Sequence, residues 1–332
     1  MEFEARDALE FEDLKKGKVL HGNYDNDATQ LPAWMDIERF KRGRQFFKSH
    51  IAAMCLALHC SLTVLFGVSK IDRALTFTRN SDTPTKALRR YVKTFVHIVV
   101  WHTYDVWDVN SIGHKSTQSV RKMHSTVRSA IEHQNPTSKR YISQYDMALV
   151  QAGFMAAVAM YPSRFGIKCT RQELEDYVFF WRGIGYLLGI KDRFNLCSGD
   201  YDQFYKLGKA IEHRVIYRGI INPPPEFETL ANSYINGMNS LVLGMKLFTK
   251  ESVIAFTFKI MGLPLVNLKI TWIDWLRILL LKFLAFSIRW VPGVERLMNC
   301  MTTKIFKVAV EKEYDEFAVE SAKVLDNAVS YF

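Results

Sequence analysis

The chain has 332 residues, 48% hydrophobic and 23% charged, ordinary proportions for a globular protein with length for one large domain or two smaller ones. Its formal charge of +10 is concentrated in the middle, because residues 1–13 and the stretch from Glu311 to Asp326 are acidic. A basic middle suits an anionic partner such as nucleic acid, a membrane surface or a cofactor carboxylate, and nucleic acid is set aside because no recognition module, zinc-finger spacing or run of five basic residues occurs.

Residues 1–33 show little periodicity and are expected to form a mobile leader. Its acidic start excludes a secretory signal, which needs a positive region followed at once by an apolar run. From Trp34 to His50 the pattern WMDIERFKRGRQFFKSH predicts an amphipathic, basic helix. Its continuation from Ile51 to Ser69 carries no formal charge over nineteen residues. That is the length of a membrane span. His59, Ser61 and Thr63 dilute it, and a buried core helix reads the same way; the core is the preferred reading.

Thr83 and Pro84 read as an N-cap followed by proline at the first helical position. On the helix they open, Arg90, Thr94, His97 and Trp101 recur at helical spacing and share one face. A polar bridge containing Asn110, Ser111 and Gly113 leads to a second helix, on which Arg121, His124, Arg128 and Ile131 do the same. Each stripe sets polar or basic groups into a surface that should otherwise be core, where they are costly unless something pairs with them. An anionic, mostly apolar cofactor with an open metal position would pair with all of them.

Asn135-Pro136 breaks the chain. Ser143 with Asp146, and Thr170 with Glu173, form capping boxes that open two further helices, the first ending before Pro162 and the second at Gly189. Another helix is expected over Tyr201 to Arg218, stopped by Pro223, Pro224 and Pro225, and others over Phe227 to Lys250 and Glu251 to Met261. From Thr271 to Val291 a very apolar run is interrupted by Asp274, Arg277, Lys282 and Arg289 and flanked by Trp272, Trp275 and Trp290. Those charges argue against a span. They leave open a helix lying in a membrane interface and a packed helix with snorkelling basic side chains. No strand alternation or repeat is visible. The fold class is therefore all-α: a leader (1–33), a large helical domain (34–250) and C-terminal helices (251–332) with a candidate membrane-interfacial role.

The five cysteines are odd in number and form no CxxC pair, which fits free, buried thiols in a reducing compartment. No GxSxG elbow, Walker A loop, HExxH or ExxH pair occurs. His97 and His102 are five residues apart and off a common face, and His102 with Asp105 and Asp108 is a weak cation site. Gly183, Gly185 and Gly189 follow no strand and read as close helix packing. Among the nine histidines, composition leaves His124 barely ahead of His59, His97 and His213 as an axial ligand.

The segments RYVKT (Arg90 to Thr94) and VRKMHSTVR (Val120 to Arg128) resemble the catalytic domain of the rubber oxygenases, or latex clearing proteins, whose family includes the ER-bound oxygenase of mycophenolic acid biosynthesis. SQYDMALVQAGF (Ser143 to Phe154) and WRGIGYLLGIKDRFN (Trp181 to Asn195) look like animal members of that family. The resemblance covers roughly Asp36 to Leu196. It implies an all-α fold with a globin-like core and a b-type haem. His124 would be the proximal iron ligand, with Arg90 and Thr94 near the haem and Arg90 a propionate partner. Lys93 would match a distal lysine that caps the iron in a closed state; it lies about 100° around the helix from Thr94, so only its long stem brings the amine back. Arg121 and Arg128 flank His124 as further cofactor-binding cations.

One departure stands out. Rubber-cleaving members place a glutamate upstream of the arginine, whereas IDRALTFTRNSDTPTKAL here holds only Asp72 and Asp82, the latter expected to cap a helix. His97 is an alternative distal group. The resemblance thus implies a haem b-dependent oxygenase cleaving a carbon–carbon double bond of an apolar, isoprenoid or lipid-like substrate with dioxygen, in the cytoplasm or on the cytoplasmic face of the ER. The alternatives are a haem protein that binds or senses a diatomic gas without catalysis, and a membrane-surface interaction protein that has lost the cofactor.

Overall fold

Capping chemistry sets most helix starts in the computed structural model, which describes residues 10–23, 27–134, 140–241, 246–265 and 268–307. Asp36 accepts from the backbone N–H of Arg39 and opens α1 (Ile37–Ser49). After α2 (Ile51–Leu65) and the short α3 (Ser69–Phe77), Thr83 caps α4 (Pro84–Thr103). Asp82 does not cap it; its carboxylate pairs instead with Lys86 Nζ at 2.9 Å. Then follow α5 (Ile112–Gln134), α6 (Gln144–Met160) and α7 (Arg171–Leu187), the last two opened by the Ser143–Asp146 and Thr170–Glu173 boxes. Gly189 stops α7 at a φ of +89°, a left-handed conformation that other residues adopt at a cost.

α8 (Tyr201–Ile211) does not run on regularly to Arg218, because Glu212–Tyr217 forms a wider π-helical turn before the helix resumes. α9 (Phe227–Ser240) ends ten residues short of Lys250, which instead begins α10 (Lys250–Met261) behind a Thr249–Ser252 box. α11 (Trp272–Trp290) opens on a Thr271–Asp274 box. Asp274, which reads in sequence as a charge interrupting an apolar run, is therefore that helix's own cap partner. A further helical stretch, α12, occupies residues 294–307, the last of those described. No β-strand occurs among the described residues; a lone bridge joins His21 to Ser143. The fold is all-α.

α2 is the axis of the core. Every residue of it except Cys55 is buried, and α6 and α10 pack along it. The chain bends by 86° between α1 and α2. His50 makes the corner, its Nδ1 2.6 Å from Glu295 of α12, while Asn299 of α12 accepts from the Ala52 N–H and donates to the Ser49 carbonyl. α1 lies against α7 so closely that a Cβ on Gly43 would meet the Asp176 carbonyl oxygen at 2.1 Å. The Asp176 carboxylate locks that contact by accepting from Arg39 and Arg42. Gly183 and Gly185 likewise face Phe40 and Gln151 at close range.

Two expected boundaries shift. The leader is packed over residues 10–23: Phe11 and Leu14 are buried, and the backbone of Leu20 and Gly22 bonds to Gln144 and Ile142. Its apolar side chains cover α6, which a reading of periodicity alone over so short a stretch does not reveal; residues 1–9 lie outside the described residues. The line drawn at residue 250 cuts through the core, since Val253, Ala255 and Phe258 of α10 are fully buried in the same apolar cluster as α2. Asn135-Pro136 also lies outside the described residues.

Candidate cofactor site between α4 and α5

α4 and α5 are an antiparallel pair in sequence logic and neighbours in space. α4 is held from behind by α9, whose Gly237 lets the Pro84 carbonyl approach to within 2.6 Å of where a Cβ would stand. The bridge between α4 and α5 turns tightly because Gly113 sits against the Asp105 carbonyl. Asp105 and Asp108 cap the backbone of Trp107 and Asn110 in this bridge. His102 is fully buried and stacks on Phe47 at 3.9 Å, with Nδ1 2.7 Å from the Ile98 carbonyl. Those three residues form no cation site.

The pair brings Arg90, His97 and His124 together. Burial pushes the His124 imidazole pKa down to about 4, and the nearby charges of Arg90 and His97 push it the same way. The ring is therefore neutral at physiological pH, the state required of a metal ligand. Its Nδ1 is buried and has no hydrogen-bond partner.

Arg90 is the second anomaly. Its Nη1 donates to Thr78 Oγ1 at 2.8 Å and to Ser81 Oγ at 3.3 Å, and burial draws its pKa down. No carboxylate among the described residues pairs with it. A half-buried guanidinium held by two neutral hydroxyls keeps a charge that is costly unless an anion pairs with it. Thr94, one turn on, donates back to the Arg90 carbonyl at 3.1 Å. Lys93 is half-buried on the flank of the same helix.

His97 is fixed from the facing helix. Ser116 Oγ lies 2.7 Å from His97 Nδ1 and accepts from Trp101 Nε1 at 3.0 Å. With the indole N–H directed at it, the serine O–H is free to donate to His97 Nδ1, which puts the ring proton on Nε2. The described contacts of Arg121 and Arg128 lead elsewhere: Arg121 Nε donates to Asn23 Oδ1 at 2.6 Å and Arg128 Nη2 to Ser125 Oγ at 3.1 Å. Neither is among the charges that act on His124.

Asp72 and Asp82 occupy the region where rubber-cleaving relatives place a glutamate. Asp72 is buried, one of its oxygens has no partner, and burial together with Glu226 raises its pKa to about 6. The charges that act on it come from Glu226 and Arg73, not from Arg90 or the histidines. Sequence reasoning missed Thr78, Ser81 and Ser116, the hydroxyls that hold Arg90 and His97. Small polar residues in a loop or first helical turn carry no periodic signal, so only the fold reveals them.

The all-α core thus sets a neutral imidazole near a guanidinium that has no carboxylate partner among the described residues. The chain belongs to the family described as ER-bound oxygenase mpaB/B′/Rubber oxygenase, catalytic domain, whose model matches residues 43–211, just over half its length. That span contains Arg90, Lys93, Thr94, His97 and His124. Among solved structures, the latex clearing protein LCP in its closed state is similar at a TM-score of 0.59 and 19% identity, covering 84% of this chain and 76% of that one. A likeness at that identity speaks for the fold. No curated protein sequence matches the chain.

Proposed function

We propose that the chain is a haem b-dependent oxygenase that oxidatively cleaves a carbon–carbon double bond in an apolar, isoprenoid or lipid-like substrate. One observation carries this reading: Arg90, a half-buried cation with no carboxylate partner among the described residues, acts on the same buried space as His124, a neutral imidazole with an unpartnered nitrogen. Family membership supplies the reaction class.

The residues present fit the group. His124 would hold the iron, which its depressed pKa allows because protons do not compete for the ring above about pH 4. Arg90 would hold a propionate, replacing two neutral hydroxyl acceptors by a charge-assisted pair. When bound, haem supplies the redox centre at which dioxygen is activated. The chain's own part is orientation and exclusion of water. His97, held by Ser116, would help to orient dioxygen by a hydrogen bond. Lys93, half-buried on the flank of the same helix, would be the distal group of a closed state. Buried aromatic and aliphatic side chains of α4 and α7, among them Phe95, Val96 and Trp181, make the surrounding core apolar.

The test is spectroscopic first. Protein from haem-supplied cells should show a Soret band that His124→Ala abolishes, and incubation with oxygen and polyprenoids should yield carbonyl products. Colourless wild-type protein overturns the haem assignment. A second reading, reversible binding of a diatomic gas without turnover, is favoured by the charges around Asp72, which are those of Glu226 and Arg73 rather than of the histidines. A Soret band with oxygen binding and no carbonyl product selects that reading.

A further inference from the structure

α11 is apolar on two faces. Ile278, Leu281, Ala285 and Ile288 are buried against the body. On the outward side Trp272, Leu276, Leu279, Phe283, Phe286 and Trp290 are each more than half exposed. Their spacing of four, three, four, three and four residues puts all six on a single stripe running the length of the helix. After the turn at 291–293 the exposed apolar residues continue on α12 as Leu297, Met301 and Ile305. Monomeric soluble proteins rarely show water a continuous surface of this kind.

The polar residues of α11 explain why it is not a span. Asp274 is buried in its capping box and accepts from Thr249 Oγ1 at 2.6 Å and from Arg277. Arg277 also donates to the Lys246 carbonyl, and Arg289 to the Ile167 carbonyl at 2.6 Å. These bonds pin the helix lengthwise to the protein, and among the described residues no single helix is long and apolar enough to cross a membrane.

Charge identifies the occupant. Residues 259–307 contain eight lysines and arginines against two acids. One of those acids, Asp274, is buried, and the other, Glu295, is bonded to His50. Beside the stripe a cleft of about 310 Å³ is lined by Arg164, Lys259, Lys282 and Arg289 together with Phe286 and Trp290. Lys259 Nζ stands 3.7 Å over the Trp275 ring and Lys168 Nζ 4.8 Å over Trp290. Cations bordering an apolar stripe with tryptophans at both ends match the layering of acyl chain and anionic headgroup.

We propose that α11, continued by α12, lies in the plane of a membrane surface that carries anionic phospholipid. The stripe enters the acyl boundary, and the cleft of Lys259, Lys282 and Arg289 receives a headgroup phosphate. The docking stands without the cofactor. Its use by the enzyme rests on the oxygenase reading: Phe306 of α12 packs 6.3 Å from Phe95 of α4, so the docked helix adjoins the one bearing Arg90 and His97.

Flotation of the full-length protein with vesicles tests this. Wild type should float with phosphatidylcholine–phosphatidylserine vesicles and more weakly with phosphatidylcholine alone, with a blue-shifted tryptophan emission. Leu279→Asp combined with Phe283→Asp alters only exposed positions and should weaken binding at least ~10-fold at unchanged melting temperature. Lys259→Glu with Lys282→Glu should remove the phosphatidylserine preference while sparing the weaker binding. His124→Ala should float like wild type, which separates a failure here from a failure of the haem assignment. Wild type left behind by both vesicle types, or floating unimpaired after the double aspartate change, overturns the proposal. So does a vesicle-indifferent dimer in light scattering that Phe283→Asp dissociates, since the stripe would then be covered by a second copy.

Discussion

Arg90 sits in a place that gives it, among the described residues, the hydroxyls of Thr78 and Ser81 to bond and no carboxylate. A cation so placed weakens the empty protein and strengthens whatever anion it later meets. Arg90→Met removes that burden while keeping most of the stem's volume. The cofactor-free variant should be as stable as wild type or more so, by about 1 kcal/mol, yet bind haem at least ~10-fold more weakly. Thermal melts of the apo forms and a haem titration check both halves; a variant that melts lower and binds haem as wild type does would contradict the anion role. Asp72 carries a related strain with the opposite charge. Its folded pKa of about 6 lies above the ordinary 3.8, so the folded state holds the proton more tightly. The stability this contributes is complete below pH 3.8 and is lost as pH rises through about 6. Asp72→Asn should therefore raise stability near neutral pH by on the order of 1–2 kcal/mol and change little in acid. Denaturant unfolding at two pH values reads this directly.

At the level of helices, caps were the most legible part of the chain. Thr83-Pro84, Ser143 with Asp146, Thr170 with Glu173 and Gly189 each sit where their chemistry placed them, because a cap is a local bond that needs no knowledge of the rest of the fold. The corner at His50 was not legible. No proline or glycine marks it; it is held by Glu295 and Asn299, nearly 250 residues away. The site shows the same division. The stripe of Arg90, Thr94, His97 and Trp101 was readable from spacing, and His124 from resemblance. The hydroxyls that orient them come from a loop and from the facing helix, so their role exists only after folding. Arg121 shares a face with His124, and its Nε donates to Asn23, a contact that spacing does not show. Gly43 gives a test at this scale. Because a Cβ there would meet the Asp176 backbone, Gly43→Ala must push α1 off α7 and should destabilise by about 2–4 kcal/mol, beyond the gain in helix propensity. A neutral or stabilising result in thermal unfolding would mean the two helices slide apart freely.

Over the whole molecule, the site and the core share one dependence on acid. His59 and His102 are buried with pKa values pushed down to about 4 and about 3, and His124 to about 4, in each case chiefly by burial. All three are neutral in the fold and titrate near 6.5 when the chain is open. Between pH 6.5 and about 4 the unfolded chain thus binds more protons, and stability falls as pH falls through that window; above it the three groups contribute nothing. A shift of this size is worth up to about 3 kcal/mol for a fully buried histidine such as His59 or His102. Asp72 works against them on the same interval but is a single group. The protein should therefore lose several kcal/mol between about pH 7 and pH 4.5, whereas protonation of His124 itself should release a bound cofactor only near pH 4, since ligation and protonation compete for one ring. His102→Phe isolates the core's share: the new ring keeps the stack between Phe47 and Phe180 and cannot take a proton. That variant should flatten the acid limb of unfolding while leaving the pH of cofactor release where it was. If both curves move together, the loss of the cofactor follows from global unfolding rather than from protonation of His124.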